Sequence, residues 1–167
     1  DRVHPLWKGS DVARGRLETG RFVLVTQSAL NEDTSRLRTL APKTWGYLDA
    51  HRARFEARKS SIYKGQHPFA MFGVGEYSFA PYKVAICGLY KHLRFQALGQ
   101  FEGRPVMLDD TSYFLPCTDR AQAERIAAAL NGPRAQEFFR ARVFWDAKRP
   151  VNKALLQSLS LDALLRA

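Results

Sequence analysis

Between residues 69 and 117 the apolar residues come only in short runs, at 69–74, 82–88, 95–98, 106–108 and 113–117, divided by glycine, proline and charged residues. Runs of that length suit strands, and the turn formers between them predict successive strands of a mainly antiparallel sheet. The β-branched and aromatic stretch 21–27 reads as a further strand, the first of the core. Elsewhere the period changes. Trp45, Leu48, Arg52 and Phe55 recur at helical spacing after Pro42, which suits a first helical turn, and predict a helix running to about Arg58. Residues 31–40 read as a short helix, and 5–12 as a loop or short edge element. Thr118, with Asp119 beside it, reads as the N-cap of an alanine-rich helix over 121–130 that stops at Asn131-Gly132. A helix over about 133–143 and one or two short helices carrying Leu155, Leu156, Leu159 and Leu164 complete the pattern. Repeats, low-complexity tracts and linkers are missing, so the expectation is a single α+β domain over residues 1–167, a mainly antiparallel sheet with flanking helices.

At 167 residues and 46% hydrophobic content the chain can bury a sizeable core without disulfides. Its two cysteines, Cys87 and Cys117, lie in strand-like stretches without metal-ligand spacing and read as buried thiols of a reducing cytoplasm. No run of about 18 apolar residues is available to span a membrane, and the polar start does not resemble a signal peptide. A cytoplasmic protein with no membrane partner is expected. The sequence starts without methionine, as a piece of something longer would.

Twenty-six Lys and Arg against sixteen Asp and Glu leave a formal charge of +10. On a folded domain such an excess attracts polyanions, nucleic acid above all. It is unevenly spread. From Arg36 to His67 eight cations (Arg36, Arg38, Lys43, Arg52, Arg54, Arg58, Lys59, Lys64) face only Asp49 and Glu56, a local excess of +6. Within it, Arg58, Lys59, Ser60, Tyr63 and Lys64 fall where the helix should give way to a loop, and these are side chains that bond phosphates and base edges. Arg54 and Arg58 also suit the negative end of the helix dipole. A second group, Lys83, Lys91, His92 and Arg94, flanks the strand at 82–88 and its following turn. By residue type, Lys59, Lys64, Lys83 and Lys91 suit phosphates, while Arg58, Ser60, Tyr63 and Arg94 suit base-edge or groove contacts.

Signals for catalysis are weak. The sequence Phe72-Gly73-Val74-Gly75 opens no helix that would hold an anion, and reads as a turn or bulge. His4, His51, His67 and His92 are scattered, and no catalytic residue, cofactor site or metal site is assigned. Two alternatives stay open: a magnesium-dependent nuclease using Asp109, Asp110 and Asp146, and an RNA-binding or protein-interaction module using the aromatics Trp45, Tyr63 and Tyr90.

Taken in order, a set of motifs resembles a known family. Trp7-Lys8-Gly9-Ser10-Asp11-Val12-Ala13-Arg14, Ala41-Pro42-Lys43-Thr44-Trp45-Gly46-Tyr47-Leu48 and Phe55-Glu56-Ala57-Arg58-Lys59 are similar to the C-terminal target-recognition region of Taq-type adenine-specific DNA methyltransferases and related combined restriction-modification enzymes. Tyr77-Ser78-Phe79-Ala80-Pro81-Tyr82-Lys83-Val84, Asp110-Thr111-Ser112-Tyr113-Phe114-Leu115 and the Ala129-Leu130-Asn131 helix end continue the likeness over nearly the whole chain. The resemblance implies a target-recognition-domain-like fold that reads double-stranded DNA and transfers no methyl group alone. It also implies an upstream methyltransferase domain of the same parent chain, which binds S-adenosylmethionine and holds the target adenine once it leaves the stack.

Overall fold

In a computed structural model of the chain, residues 2–16 and 20–166 are described. Their order is β1 (Val3–Trp7), α1 (Gly9–Arg14), β2 (Phe22–Leu24), α2 (Leu37–Leu40), α3 (Pro42–Ala50), α4 (Arg52–Glu56), β3 (Tyr82–Cys87), β4 (Gln96–Leu98), β5 (Met107–Leu108), β6 (Ser112–Cys117), α5 (Arg120–Asn131), α6 (Pro133–Arg140), α7 (Lys153–Gln157) and α8 (Leu161–Arg166). Single 3-10 turns occupy Thr34–Arg36, Ser61–Tyr63 and Glu76–Phe79. The fold class is α+β. By its contacts the chain divides into two compact units, Asp1–Val3 with Leu24–Phe79, and His4–Val23 with Ala80–Ala167.

The larger unit is organised by β3, whose neighbours are β4 and β6, both antiparallel to it. Side chains alternate faces along a strand. Val84 and Ile86 therefore join Ala123, Ile126, Ala127 and Leu130 of α5, a set at helical spacing, together with Phe139 of α6 and Leu155 of α7. Ala85, between them, joins Trp7, Val12, Leu98 and Val106 on the other face. With both faces covered, β3 is an unbroken apolar run from Val84 to Cys87 rather than an alternating one. A second three-stranded sheet, in the order β2-β1-β5, includes a parallel pairing of Leu6 with Met107 and Trp7 with Leu108.

Helix α5 is capped by Asp119, whose carboxylate accepts from the Gln122 amide at 2.8 Å, while Gln122 accepts from the Thr118 amide at 2.8 Å. The cap is thus one residue later than expected. Asn131 at its other end makes a reciprocal pair with Phe95, accepting from that residue's amide at 3.0 Å and donating to its carbonyl at 2.8 Å. Cys87 and Cys117 are both buried free thiols.

In the smaller unit Leu37, Leu48 and Phe69 are buried, with Trp45 and Phe55 set edge-on against Phe69, each at 5.1 Å. The expected long helix from Pro42 is interrupted at His51, where the backbone leaves helical geometry and Arg52 reaches back to Asp49.

Two other expectations fail. Residues 5–12 are not a loop: Val3–Trp7 is a strand and Gly9–Arg14 a helix, stopped by Gly15 at φ +66°. Gly15, which adopts the left-handed cap freely, is the sequence mark of that helix end. Residues 69–74 are not a strand, because the Gln27 side chain, instead of a neighbouring strand, takes the Met71 amide at 2.8 Å and the Val74 carbonyl at 3.1 Å.

Candidate nucleic-acid interface

The basic segment of the smaller unit is built around Arg58. Its guanidinium donates from Nε to the Phe55 carbonyl at 2.9 Å, from Nη1 to Ala70 at 2.8 Å and from Nη2 to Pro68 at 2.9 Å. The first bond finishes the helical turn; the other two close the loop 59–67 on itself. The same guanidinium lies over Tyr63 at 3.8 Å and Phe55 at 5.3 Å. Arg58 therefore acts inside the protein, and the base-contact role expected from its residue type does not fit its committed donors.

On the closed loop Lys59, Ser60, Ser61 and Lys64 are exposed and Tyr63 is half-buried. Gly65 at φ +73° turns the chain, and His67 Nδ1 meets the Asp33 carboxylate at 3.0 Å. Asp33 is held below the usual carboxylate range chiefly by the Ser35 amide and then the Ser35 hydroxyl, so it is a fixed negative anchor at the loop's far end. The loop is thus tied by Arg58 at its start and His67 at its end, with two lysines and two hydroxyls facing outward.

Cations also cover the aromatic cluster behind the loop. Arg38 lies 5.2 Å and Arg52 5.8 Å from the Trp45 ring centre, and Arg52 lies 5.0 Å from that of Phe69. Arg38, Trp45 and Arg52 stand seven residues apart, a spacing visible in the sequence whose meaning was missed. Trp45 and Tyr63 are consequently faced by arginines rather than bare, which weakens the reading of them as stacking surfaces for single-stranded bases.

In the larger unit Lys91 and Arg94 are exposed on the connection between β3 and β4, with His92 between them. Lys91 Nζ stands 3.6 Å from the Asp146 carboxylate, both largely exposed. Arg94 reaches the end of α1, where Nη2 would meet a Cβ on Gly15 at 3.2 Å. The base of the connection is pinned by Asn131 on Phe95 and by Gln136, which donates to the Leu93 carbonyl at 2.9 Å.

Lys83 corrects the sequence reading. It is 2% exposed, its ammonium donates to the Ala80 carbonyl at 2.7 Å, and burial depresses its pKa from 10.5 to about 8. As an odd-numbered position of β3 it shares a face with Ala85 and lies 5.8 Å from the Phe114 ring, so it offers nothing to a phosphate.

The three acids of the nuclease alternative are committed separately. Asp109 Oδ1 accepts from the Gly9 amide at 3.1 Å and the Thr111 hydroxyl at 2.6 Å; Asp110 meets Arg149 at 3.3 Å; Asp146 meets Lys91. Among the described residues no group of three His, Cys, Asp or Glu is placed to hold a metal. Residues 72–75 form a turn followed by the 3-10 turn Glu76–Phe79, not a strand and helix around a glycine-rich cradle, so these residues do not fit S-adenosylmethionine. Among the described residues no helix is long and apolar enough to cross a membrane.

Over 165 residues, 98% of its length, the chain is 47% identical to the Type II methyltransferase M.NspV of Nostoc sp.. The likeness is to part of that methyltransferase. It spans about a third of that relative, 34% of its length. No family model matches the chain, and no solved structure matches it.

Proposed function

We propose that the chain is the DNA-reading part of an adenine-specific methyltransferase of a restriction-modification system, and that it moves no methyl group by itself. The observation that carries this is the loop 59–67: its exposed Lys59 and Lys64 stand on a support that Arg58 ties to three carbonyls. A charged loop already ordered before binding gives up less conformational freedom when it meets a partner. Lys59 and Lys64 neutralise backbone phosphates, Ser60 and Tyr63 address groove edges, and Lys91 and Arg94 supply a second contact from the larger unit. The likeness to M.NspV supports the methyltransferase setting. S-adenosylmethionine and the target-base pocket belong to a separate methyltransferase domain of the same protein, and the chain works in the cytoplasm.

The test is titration of the chain against a fluorescent duplex of random sequence, repeated from about 50 to about 200 mM salt. Affinity should fall by an order of magnitude or more over that range, in proportion to the phosphates engaged. Absence of binding at the lowest salt, or affinity indifferent to salt, would overturn the reading. Tighter binding to single-stranded RNA would favour the RNA alternative, and metal-dependent cleavage lost in Asp110→Ala the nuclease.

A further inference from the structure

The loop opposite in character to 59–67 lies in the same unit. Residues 71–74 form a turn with Gly73 at φ +71°, a conformation that only glycine adopts freely. Gln27, 3% exposed, grips this turn on both flanks through the Met71 amide and the Val74 carbonyl, and donates to the Ala29 carbonyl at 3.2 Å as well. Tyr77 adds a third tie, its hydroxyl donating to the Gly73 carbonyl at 2.8 Å. The turn and the loop 27–32 are therefore joined through one amide side chain. Over Gly75, where an added Cβ would meet the Tyr77 ring at 2.9 Å and Leu30 Cγ at 3.1 Å, the two loops close on each other.

What this fixed platform displays is apolar. Phe72 is 64% exposed, Leu30 62% and Tyr77 39%. Single exposed apolar residues are ordinary, but three gathered on a doubly clamped turn mark a contact surface.

Charge decides the class of partner. Segments 24–35 and 68–79 contain no Lys or Arg and carry Glu32, Asp33 and Glu76, with Arg2 near Glu32 and His67 on Asp33, whereas eight cations lie between them in sequence, in 36–67. Glu32 is held ionised chiefly by the Ser28 hydroxyl, then the Ser28 amide, at 2.7 and 2.6 Å. An exposed apolar surface on segments without Lys or Arg is a poor match for a phosphate backbone and a good one for an apolar recess on a protein.

We propose that Phe72, with Leu30 and Tyr77 beside it, is the anchor by which this chain docks on the rest of a methyltransferase polypeptide, the portion that the match to M.NspV leaves uncovered. The proposal rests on the methyltransferase reading above. A buried aromatic at the centre of an interface, held rigid beforehand, is the kind of residue that carries binding energy. The available length agrees, since only 34% of M.NspV is matched.

The experiment replaces the matched third of M.NspV with this chain and follows backbone hydrogen exchange of residues 71–77 in the chimera and in the chain alone. Docking slows exchange in the chimera by about tenfold or more, and Phe72→Ser or Leu30→Ser returns it to the rate of the isolated chain. Both side chains are mostly exposed, so the variants retain the fold. Equal exchange in chimera and isolated chain, or slowing that survives both substitutions, overturns the proposal. So does a dimer of the isolated chain that Phe72→Ser dissolves, which would make a second copy the occupant, or a tenfold loss of duplex affinity in Phe72→Ser, which would make it DNA. The exchange comparison contains no DNA, so its failure is distinct from failure of the salt titration.

Discussion

The Arg58 guanidinium lies 3.8 Å from the centre of the Tyr63 ring while its donors hold the carbonyls of Phe55, Pro68 and Ala70. One side chain thus sets both ends of a nine-residue loop and the attitude of the aromatic within it. Arg58→Ala should speed amide exchange across 59–67 and weaken duplex binding by about tenfold or more, through loss of loop order rather than of a phosphate contact. Arg58→Lys should not restore the wild-type exchange, because an ammonium lacks the planar fork that serves three acceptors at once. Unchanged exchange in Arg58→Ala would refute the clip.

Lys59 and Lys64 differ from Arg58 in being exposed. Lys59→Ala and Lys64→Ala should each leave stability within about 0.5 kcal/mol of the parent. Each should lower the slope of log affinity against log salt by about 1, on cognate and scrambled duplexes alike. A parent slope retained in both variants would remove these lysines from the interface.

Buried Lys83 predicts a pH signature. Its folded pKa, about 8, lies below the value of 10.5 for the unfolded chain. Between those values the unfolded chain keeps a proton that the folded chain has released, so stability rises with pH through that window, by up to about 3 kcal/mol. Lys83→Met, which keeps the volume and removes the charge, should exceed the parent by about 2 kcal/mol at pH 7, and the advantage should shrink towards pH 10.5. Urea unfolding at the two pH values measures it; an advantage independent of pH would mean that the ammonium is solvated.

The reciprocal pair between Asn131 and Phe95 ties the end of α5 to the start of β4. Asn131→Ala leaves two backbone groups without their partner and should cost about 1–3 kcal/mol in denaturant unfolding. It should also raise amide exchange at 91–95, since Gln136 on Leu93 would then be the remaining clamp. A cost below about 0.5 kcal/mol would show that water replaces the side chain.

How far the sequence could be read depended on whether a signal was local. β3 and β6 were legible as short apolar runs bounded by turn formers, and α5 because its apolar residues recur at period 3.6 between a cap and Asn131-Gly132. The fate of Lys83 was not: strand alternation tells which residues share a face, but only the packing of Trp7 and Val12 shows that this face is covered too. The cations of 58–64 were legible as charge, yet the division of labour between Arg58 and Lys59 depends on carbonyls ten and twelve residues further on. Gln27 was invisible for the same reason, as its partners Met71 and Val74 lie 44 and 47 residues away. No windowed pattern can pair a single glutamine with a turn at that distance.

The separation of charge within the smaller unit also bears on speed. With eight cations against Asp49 and Glu56 in 36–67, and Glu32, Asp33 and Glu76 in the flanking segments beside Arg2, the unit has an uneven charge distribution, hence an electric dipole as well as a net charge. Near a polyanion such a body feels a torque before it feels contact, so more of its collisions are productive and the gain appears in the association rate. Because that torque acts across water, it fades within a Debye length of about 8 Å at physiological salt. Ionic strength would therefore slow arrival by blurring orientation, over and above the counterions displaced once the loop has landed.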